Sequence, residues 1–389
     1  MLILGIETSC DETAASVVED GVRILSNAVV SQIDIFAEYG GVIPEVAARS
    51  HLEVMLPVID KALSDAACTW DDIDAIAVTH APGLLGSLLI GTLTARTLAI
   101  LHDKPLYAVH HLKSHVYANW LKPEQENCLC PSSGALRGAS PSLTPSDGLK
   151  PIFPLLALVV SGGHTQVLQM AGHNQFEIVG TTRDDAVGEC FDKVAKILGL
   201  PYPGGPSIAK AALEGDADKY KFPHPKVEGL DFSFSGLKTA VLRAVQKEVG
   251  VEISYPSHKL KELLSHEQVC DFAASFQKTA VEILIEKLEK ALERFPDTKS
   301  IVVAGGVSAN ETLREETEKH FCRERSGALA QVLLPPKNFS VSSIFFPTPS
   351  LSGDNGAMVA AACYYEIQSG VEPVDPYKLN IYPRISIED

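Results

Sequence analysis

The chain has few of the features on which metal ribbons, redox motifs and disulfide-stabilised folds depend. Its 389 residues include eight cysteines, none of them in a Cys-x-x-Cys pair, and only Cys128 and Cys130 lie close together in sequence. This spacing excludes a zinc ribbon and a thioredoxin-type motif, and a disulfide scaffold is not expected in a chain of this length. We therefore expect free thiols in a reducing compartment.

Long apolar runs are missing as well. The longest, such as residues 155–160, are far shorter than the ~20 residues that a membrane-spanning helix needs. The first residues contain no basic segment, no cleavage-like site and no arginine-rich leader. The sequence therefore predicts a cytoplasmic protein without a membrane segment.

Positive charge is scarce. The chain has 33 Lys and Arg against 49 Asp and Glu, a formal net charge of −16. Because phosphates are normally neutralised by Lys and Arg, this balance argues against broad, purely electrostatic binding of nucleic acid. A local basic groove, or help from a partner subunit, stays open. The hydrophobic fraction of 46% excludes disorder as the main state.

Apolar runs separated by polar turns predict short strands, with helical periodicity between them. Strands are predicted at 2–6, 14–18, 73–79, 107–109, 155–160, 167–170 and 301–304. Helices are predicted at 52–63, 84–99, 187–198, 267–295, 311–319 and 357–367, and one more starts near His111. This alternation predicts an α/β fold. The opening pattern of strand, turn and strand recurs about 150 residues later, which indicates duplication at the scale of a lobe.

Two polar turns occupy matching places in the two halves. They are Thr8-Ser9-Cys10 and Ser161-Gly162-Gly163. Glycine lets a backbone approach a ligand closely, and successive N–H groups can form a nest for an anion. The pair therefore predicts a grip on the phosphate of a nucleotide, although each turn by itself is equally explained as a tight hairpin.

Two further glycine-rich segments suit a nucleoside. After the strand at 301–304, a Gly-Gly turn leads to Ser308 and Asn310, either of which could cap the next helix. The alternative is that this segment forms a wall for an adenosine. Gly204-Gly205 is a similar open backbone site, and Asp192 opposite it has a carboxylate that suits a ribose hydroxyl.

His111 and His115 are spaced i, i+4, which places both imidazoles on one face of a helix. Leu112 stands where the zinc peptidases have glutamate, so no general base is built in. Two histidines alone are equally compatible with a solvated helix face. A third ligand is needed, and Asp354 at a Gly-flanked turn is the best candidate, giving a His₂-carboxylate set typical of non-haem iron and catalytic zinc sites.

Taken together, these motifs resemble a known family, the TsaD family of universal tRNA N6-adenosine threonylcarbamoyltransferases, formerly called glycoproteases. The resemblance runs in order over nearly the whole chain. The matching segments are residues 5–13, 39–45, the His111/His115 pair, 161–165, 188–193, 231–239, 304–310 and 354–358.

The resemblance implies a two-lobed actin-like fold of the sugar kinase and heat-shock ATPase superfamily, with duplicated RNase H-like subdomains. On that basis we expect a first lobe at 1–120, a Pro/Ser-rich insertion at 121–154 and a second lobe at 155–355. The C-terminal helix in 356–389 is expected to pack on the first lobe.

The resemblance also implies an activity and its partners. The family transfers the threonylcarbamoyl group from threonylcarbamoyl-AMP to N6 of adenosine 37 in tRNAs reading codons that begin with A. Bacterial members work with a TsaB-like paralogue and a TsaE-like ATPase. A divalent metal, Fe²⁺ first and Zn²⁺ second, is implied at His111, His115 and Asp354. The residues implied to hold the adenylate are Val159, Val160, Ser161, Gly162, Gly163, Asp192, Gly205 and Asn310.

Two acidic residues in the first turn are candidates for the proton transfer. If Asp11 and Glu12 face the same cleft, one of them could accept the proton of the attacking amine, and otherwise they are solvated turn residues. Two other functions remain open on the same fold. One is an ATP-dependent small-molecule kinase, and the other is a non-catalytic scaffold like the family's paralogue.

Overall fold

A computed structural model of the chain describes residues 1–122, 150–321, 341 and 343–388. Its first sheet has five strands in the order β3-β2-β1-β4-β5. These are β1 (Leu2–Glu7), β2 (Glu12–Glu19), β3 (Arg23–Ser31), β4 (Ala75–Ala81) and β5 (Leu106–His110). Strand β1 runs antiparallel to β2 and parallel to β4. Its apolar residues from Ile3 to Ile6 are buried because helices cover both faces of the sheet.

The second sheet repeats this arrangement. Its five strands lie in the order β8-β7-β6-β9-β10, with β6 antiparallel to β7 and parallel to β9. They are β6 (Leu155–Val160), β7 (Thr165–Gly172), β8 (Gln175–Thr181), β9 (Ser300–Ala304) and β10 (Ser343–Phe345). The predicted duplication is therefore confirmed, strand by strand and in the same directions.

Helices connect and cover the strands. They are α1 (Ile33–Tyr39), α2 (Pro44–Asp65), α3 (Leu85–Leu101), α4 (His111–Tyr117), α5 (Val187–Leu198), α6 (Gly204–Ala212), α7 (Ser235–Glu248), α8 (His266–Arg294), α9 (Glu311–Phe321), α10 (Pro349–Ser352) and α11 (Gly356–Gln368). Each predicted helix is confirmed, whereas β3, β8, β10, α1, α6, α7 and α10 were not predicted. Most of the predicted insertion lies outside the described residues. Among those described, no helix is both long and apolar enough to cross a bilayer.

Helices α4 and α11 lie where the two sheets meet. One hydrophobic core contains residues of both helices together with residues of both sheets, such as Val109 on β5 and Val159 on β6. Helix α11 packs on β1 and β2, and this packing depends on glycine. A Cβ on Gly5 would lie 2.1 Å from the carbonyl oxygen of Gly356. The fold therefore brings the start of α4 and the start of α11 to the same place.

Candidate functional site

Three side chains predicted as metal ligands meet at the starts of α4 and α11. The Nε2 atoms of His115 and His111 lie 3.1 and 3.7 Å from Oδ1 of Asp354. The two imidazole rings are 4.6 Å apart, centre to centre. One ligand atom from each residue falls within 4.8 Å of the others, a separation that one metal ion can bridge.

The local structure explains why these side chains converge. Helix α4 begins directly after β5, and the Nδ1 atom of His110 accepts the N–H of Leu112 at 3.2 Å as its N-cap. Asp354 lies in the short turn between α10 and α11, where the side chain of Asn355 accepts the N–H of Met358 at 2.9 Å. Both ligand-bearing segments are thus fixed by a helix cap.

Glu7 at the end of β1 orients His111. Its Oε2 lies 3.2 Å from Nδ1 of His111 and accepts a 2.6 Å hydrogen bond from the hydroxyl of Thr79. Ser9 Oγ lies 3.1 Å from the same Nδ1. With Nδ1 held in this way, Nε2 of His111 is directed at Asp354, as an imidazole ligand requires. Glu7 was not predicted as a site residue, because a glutamate at a strand end carries no distinguishing sequence signal.

The electrostatics of the three residues fit a cation. Burial lowers the pKa of His111, but the carboxylates of Asp354 and Glu7 outweigh it and raise that pKa to about 9. Burial raises the pKa of Asp354, whereas His111 and His115 hold it well below its ordinary value. His115 is 1% exposed, and neither of its ring nitrogens makes a well-formed hydrogen bond within the described residues. A buried imidazole in this state is suited to a metal ion.

Asp11 and Glu12 face the same cleft. Burial raises the pKa of Glu12 to about 9, together with the nearby carboxylates of Asp354 and Asp11. The carboxyl of Glu12 therefore holds its proton to a higher pH than an ordinary glutamate does. Asp11 is 8% exposed. The pKa of Asp192 on α5 is raised mainly by burial and further by the nearby carboxylate of Asp11. The burial of Asp11 does not fit the alternative of a solvated turn residue, whereas Glu12 is half-buried.

The two polar turns differ in what they offer a ligand. The N–H of Ser9 donates to Glu7, and the hydroxyl of Thr8 donates to the carbonyl oxygen of Ser87 at 2.9 Å, so one N–H of the nest predicted at Thr8-Ser9-Cys10 is already engaged within the protein. In the second lobe, Gly162 and Gly163 are exposed, and their N–H groups make no hydrogen bond to another described residue. That turn keeps the donors that an anion needs.

The other predicted nucleotide contacts fall into two groups. Val159 and Val160 are fully buried, so only their backbone can face a ligand. Asp192 Oδ1 accepts the N–H of Gly204 at 2.7 Å, whereas a Cβ on Gly205 would meet no atom within 4 Å. Gly205 thus lies at an open surface beside the Asp192 carboxylate.

Asn310 caps α9, which was one of the two alternatives left open by the sequence, the other being a wall for an adenosine. Its Oδ1 accepts the N–H of Leu313 at 3.0 Å, and its Nδ2 donates to Gln277 at 2.8 Å. Ser308 donates instead to Ser352. The amide of Asn310 is therefore engaged within the protein, and a nucleoside there would meet its remaining surface.

Two residues of the cleft had no role in the sequence prediction. Burial, then His111 and His115, lower the pKa of His164 to about 4. Burial, followed by the carboxylates of Asp11 and Asp192, raises the pKa of Tyr202. His164 belongs to the marked segment 161–165, so position within a motif was the available signal for it, whereas Tyr202 lies two residues before the Gly204-Gly205 pair.

Comparison with known proteins identifies the family. A family model described as TsaD, tRNA N6-adenosine threonylcarbamoyltransferase, matches residues 23–140 and 139–361. The chain is 46% identical over 372 residues to the tRNA N6-adenosine threonylcarbamoyltransferase of Symbiobacterium thermophilum, covering 95% of this chain and 93% of that one. It is 44% identical over 388 residues to that of Caldicellulosiruptor bescii, covering 100% of this chain and 98% of the relative.

Solved structures support the fold alone. HypF from T. kodakarensis matches with a TM-score of 0.52 at 14% identity, over 95% of this chain and 47% of that one. Full-length HypF in its phosphate- and nucleotide-bound form matches with a TM-score of 0.50 at 11% identity, over 95% of this chain and 46% of that one. With the duplicated sheets, these matches support the predicted two-lobed actin-like fold. The chain belongs to the TsaD family, the tRNA N6-adenosine threonylcarbamoyltransferases, and is a transferase that modifies tRNA.

Proposed function

We propose that this chain transfers the threonylcarbamoyl group of threonylcarbamoyl-AMP to N6 of adenosine 37 in tRNAs reading codons that begin with A. The observation that carries the proposal is the His111, His115 and Asp354 group in the cleft, with Asp11 and Glu12 beside it. Because tRNA is the substrate, the site of action is cytoplasmic.

The reaction needs positioning more than a strong base. The N6 amine of adenine is a weak nucleophile, but the mixed anhydride is activated and releases AMP as a good leaving group. N6 bonds to the carbamoyl carbon, the bond from that carbon to the phosphate oxygen breaks, AMP keeps the electron pair, and one N6 proton is lost. A divalent metal on His111, His115 and Asp354, Fe²⁺ in our proposal with Zn²⁺ as the alternative, would supply a Lewis acid.

We place AMP across the second lobe. The free N–H groups of Gly162 and Gly163, following the backbone of Val159, Val160 and Ser161, suit its phosphate. The nucleoside would lie along Asp192, Gly205 and Asn310. This assignment is supported by the open surface at the three glycines, where a Cβ would meet no protein atom within 4 Å.

Gly162→Ala tests the phosphate position. The added Cβ meets no protein atom within 4 Å, so we expect the thermal unfolding temperature to be unchanged. It would stand where the phosphate approaches the backbone, so we expect KM for the adenylate to rise about tenfold or more. The matched control is Gly236→Ala on α7, which also has open space. An unchanged KM in Gly162→Ala would contradict the position.

Asp11→Asn tests the proton acceptor. The raised pKa of Glu12 disfavours its carboxylate form, so we assign the acceptor role to Asp11. In single turnover with saturating adenylate, we expect Asp11→Asn to be slower by about 100-fold and Glu12→Gln by less than about tenfold. Asp34→Asn on α1 is the control. Undiminished rates in both Asp11→Asn and Glu12→Gln would remove the role from this turn.

We propose that a TsaB-like paralogue docks on an apolar strip of α2 and α3, and that a TsaE-like ATPase acts with the pair. Leu85, Leu89 and Leu93 recur at i, i+4 and i+8 on α3, and each is at least 42% exposed. Leu52 and Leu56 on α2 are also exposed, and α2 packs against α3. An exposed apolar strip of this kind marks a protein interface.

Leu89→Asp tests this interface. Its side chain is 42% exposed, so the fold should tolerate the change, whereas a buried charge at an interface is costly. We expect binding of the paralogue to weaken about 100-fold or more in a titration calorimetry experiment. Ile253→Asp, at an exposed position of the second lobe, is the control. Equal binding by both variants would contradict the docking surface.

Mass spectrometry of tRNA nucleosides tests the proposed activity. A tRNA reading an ANN codon is incubated with this chain, threonylcarbamoyl-AMP, ATP and the partner proteins; one arm omits the partners, and another omits this chain. We expect N6-threonylcarbamoyladenosine at position 37 in the complete arm. ATP-driven phosphorylation of a small molecule would instead support the kinase alternative. Modification that proceeds equally without this chain would support the scaffold alternative.

A further inference from the structure

A second group of metal-ligating side chains lies on the second lobe. Glu214 follows α6, and His266 and Cys270 lie one turn apart at the start of α8. The Nε2 atom of His266 is 3.0 Å from Oε2 of Glu214 and 3.6 Å from Sγ of Cys270. Glu214 lies past the C-terminus of α6, whereas the cleft is at its N-terminus, about 13 Å away at the helical rise.

The distances match tetrahedral zinc. Ligand bonds of about 2.3 Å for sulfur and about 2.0 Å for nitrogen and oxygen, at tetrahedral angles, separate S from N by about 3.6 Å and N from O by about 3.3 Å. The observed separations are 3.6 and 3.0 Å, and the three ligand atoms all lie within 4.8 Å of one another. One ion can therefore reach all three without rearrangement of the helices.

The backbone holds the carboxylate-bearing segment against α8. A Cβ on Gly215 would lie 2.0 Å from the carbonyl oxygen of Cys270, so glycine is required where the two segments touch. The N–H of Asp216 donates to Oδ1 of Asp271 at 2.8 Å. Glu214 is thus presented by an ordered segment, and binding an ion does not have to order a loop.

We propose that Glu214, His266 and Cys270 bind one Zn²⁺, with water as the remaining ligand. A thiolate, an imidazole and a carboxylate together favour zinc over magnesium or calcium. The ion joins the end of α6 to the start of α8 and stabilises the second lobe.

Zinc titration of the full chain against a chromophoric chelator tests the site. We expect two equivalents in the unaltered chain, one at this site and one in the cleft. In His266→Ala and Glu214→Gln, whose side chains are exposed, one equivalent should weaken at least about tenfold while the other is unchanged. With Co²⁺, the thiolate charge-transfer band should disappear in Cys270→Ser and persist in Cys68→Ser.

Transferase activity should be the same in all these variants. The zinc titration and the Co²⁺ spectrum therefore test this site independently of the proposed function. The proposal is overturned if His266→Ala and Glu214→Gln bind zinc like the unaltered chain. It is also overturned if the thiolate band of the unaltered chain is absent or persists in Cys270→Ser. Either result would leave Glu214 and His266 as a surface ion pair.

Discussion

A His115→Ala chain should lose its metal and transfer the threonylcarbamoyl group at least about 100-fold more slowly than the unaltered chain. His115 is 1% exposed, and neither ring nitrogen makes a well-formed hydrogen bond to a described residue. Among the described residues, it is His115 that completes the group of ligand atoms with His111 and Asp354. Metal content by mass spectrometry and single-turnover rates with supplied adenylate are the measurements.

Two further variants separate loss of the ligand from loss of the fold. Asp354→Asn is nearly isosteric and 16% exposed, so its unfolding temperature should change little while its metal content and rate fall as in His115→Ala. His320→Ala removes an exposed imidazole from α9 and should match the unaltered chain. Full metal content and full rate in both His115→Ala and Asp354→Asn would disprove the metal site.

Gly5→Ala should destabilise the fold more than any other small substitution considered above. Its Cβ would lie 2.1 Å from the carbonyl oxygen of Gly356 and 2.7 Å from the N atom of Ala360. Both are backbone atoms, so the sheet and α11 must separate. We expect the free energy of unfolding in urea to fall by about 3 kcal/mol.

The same contact can be tested from its other side. A Cβ on Gly356 would lie 2.6 Å from the carbonyl oxygen of Gly5, so Gly356→Ala should cost a similar free energy. Asp354 lies two residues before it, so metal affinity should fall as well. Gly236→Ala, in open space on α7, should leave the unfolding free energy unchanged or raise it by up to about 1 kcal/mol. If Gly5→Ala and Gly356→Ala unfold with the same free energy as Gly236→Ala, the close packing of α11 on the sheet is not required for stability.

The sequence pattern was sufficient to predict a feature that lies within one strand or one helix. The run 155–160 is apolar throughout and forms β6 with those bounds, and the spacing of His111 and His115 places both imidazoles on one face of α4. The strands that were not predicted show where the sequence pattern fails. Strand β8 lies at a sheet edge and is largely half-exposed, so it has no apolar run. Strand β10 has only three residues.

Predictions of contact were less secure than predictions of elements. The turn at Thr8-Ser9-Cys10 has the composition of an anion nest, but the Glu7 carboxylate already accepts the N–H of Ser9. Asn310 has the composition of a ligand contact, but its amide caps α9. In both cases a neighbouring group of the protein takes the hydrogen bond that was predicted for a ligand. Composition does not say whether the protein group or the ligand is nearer.

The sequence by itself determined the α/β class, the duplicated lobes, the family and the i, i+4 histidine pair, because strand periodicity, helical spacing and motif order are local properties. Only the tertiary structure decided that Asp354 reaches those histidines and that Glu7 orients one of them. It alone also brought Glu214 to His266 and Cys270. These contacts join residues far apart in the chain, and they exist only because the packing of α11 on β1 and of α6 on α8 brings separate backbones together.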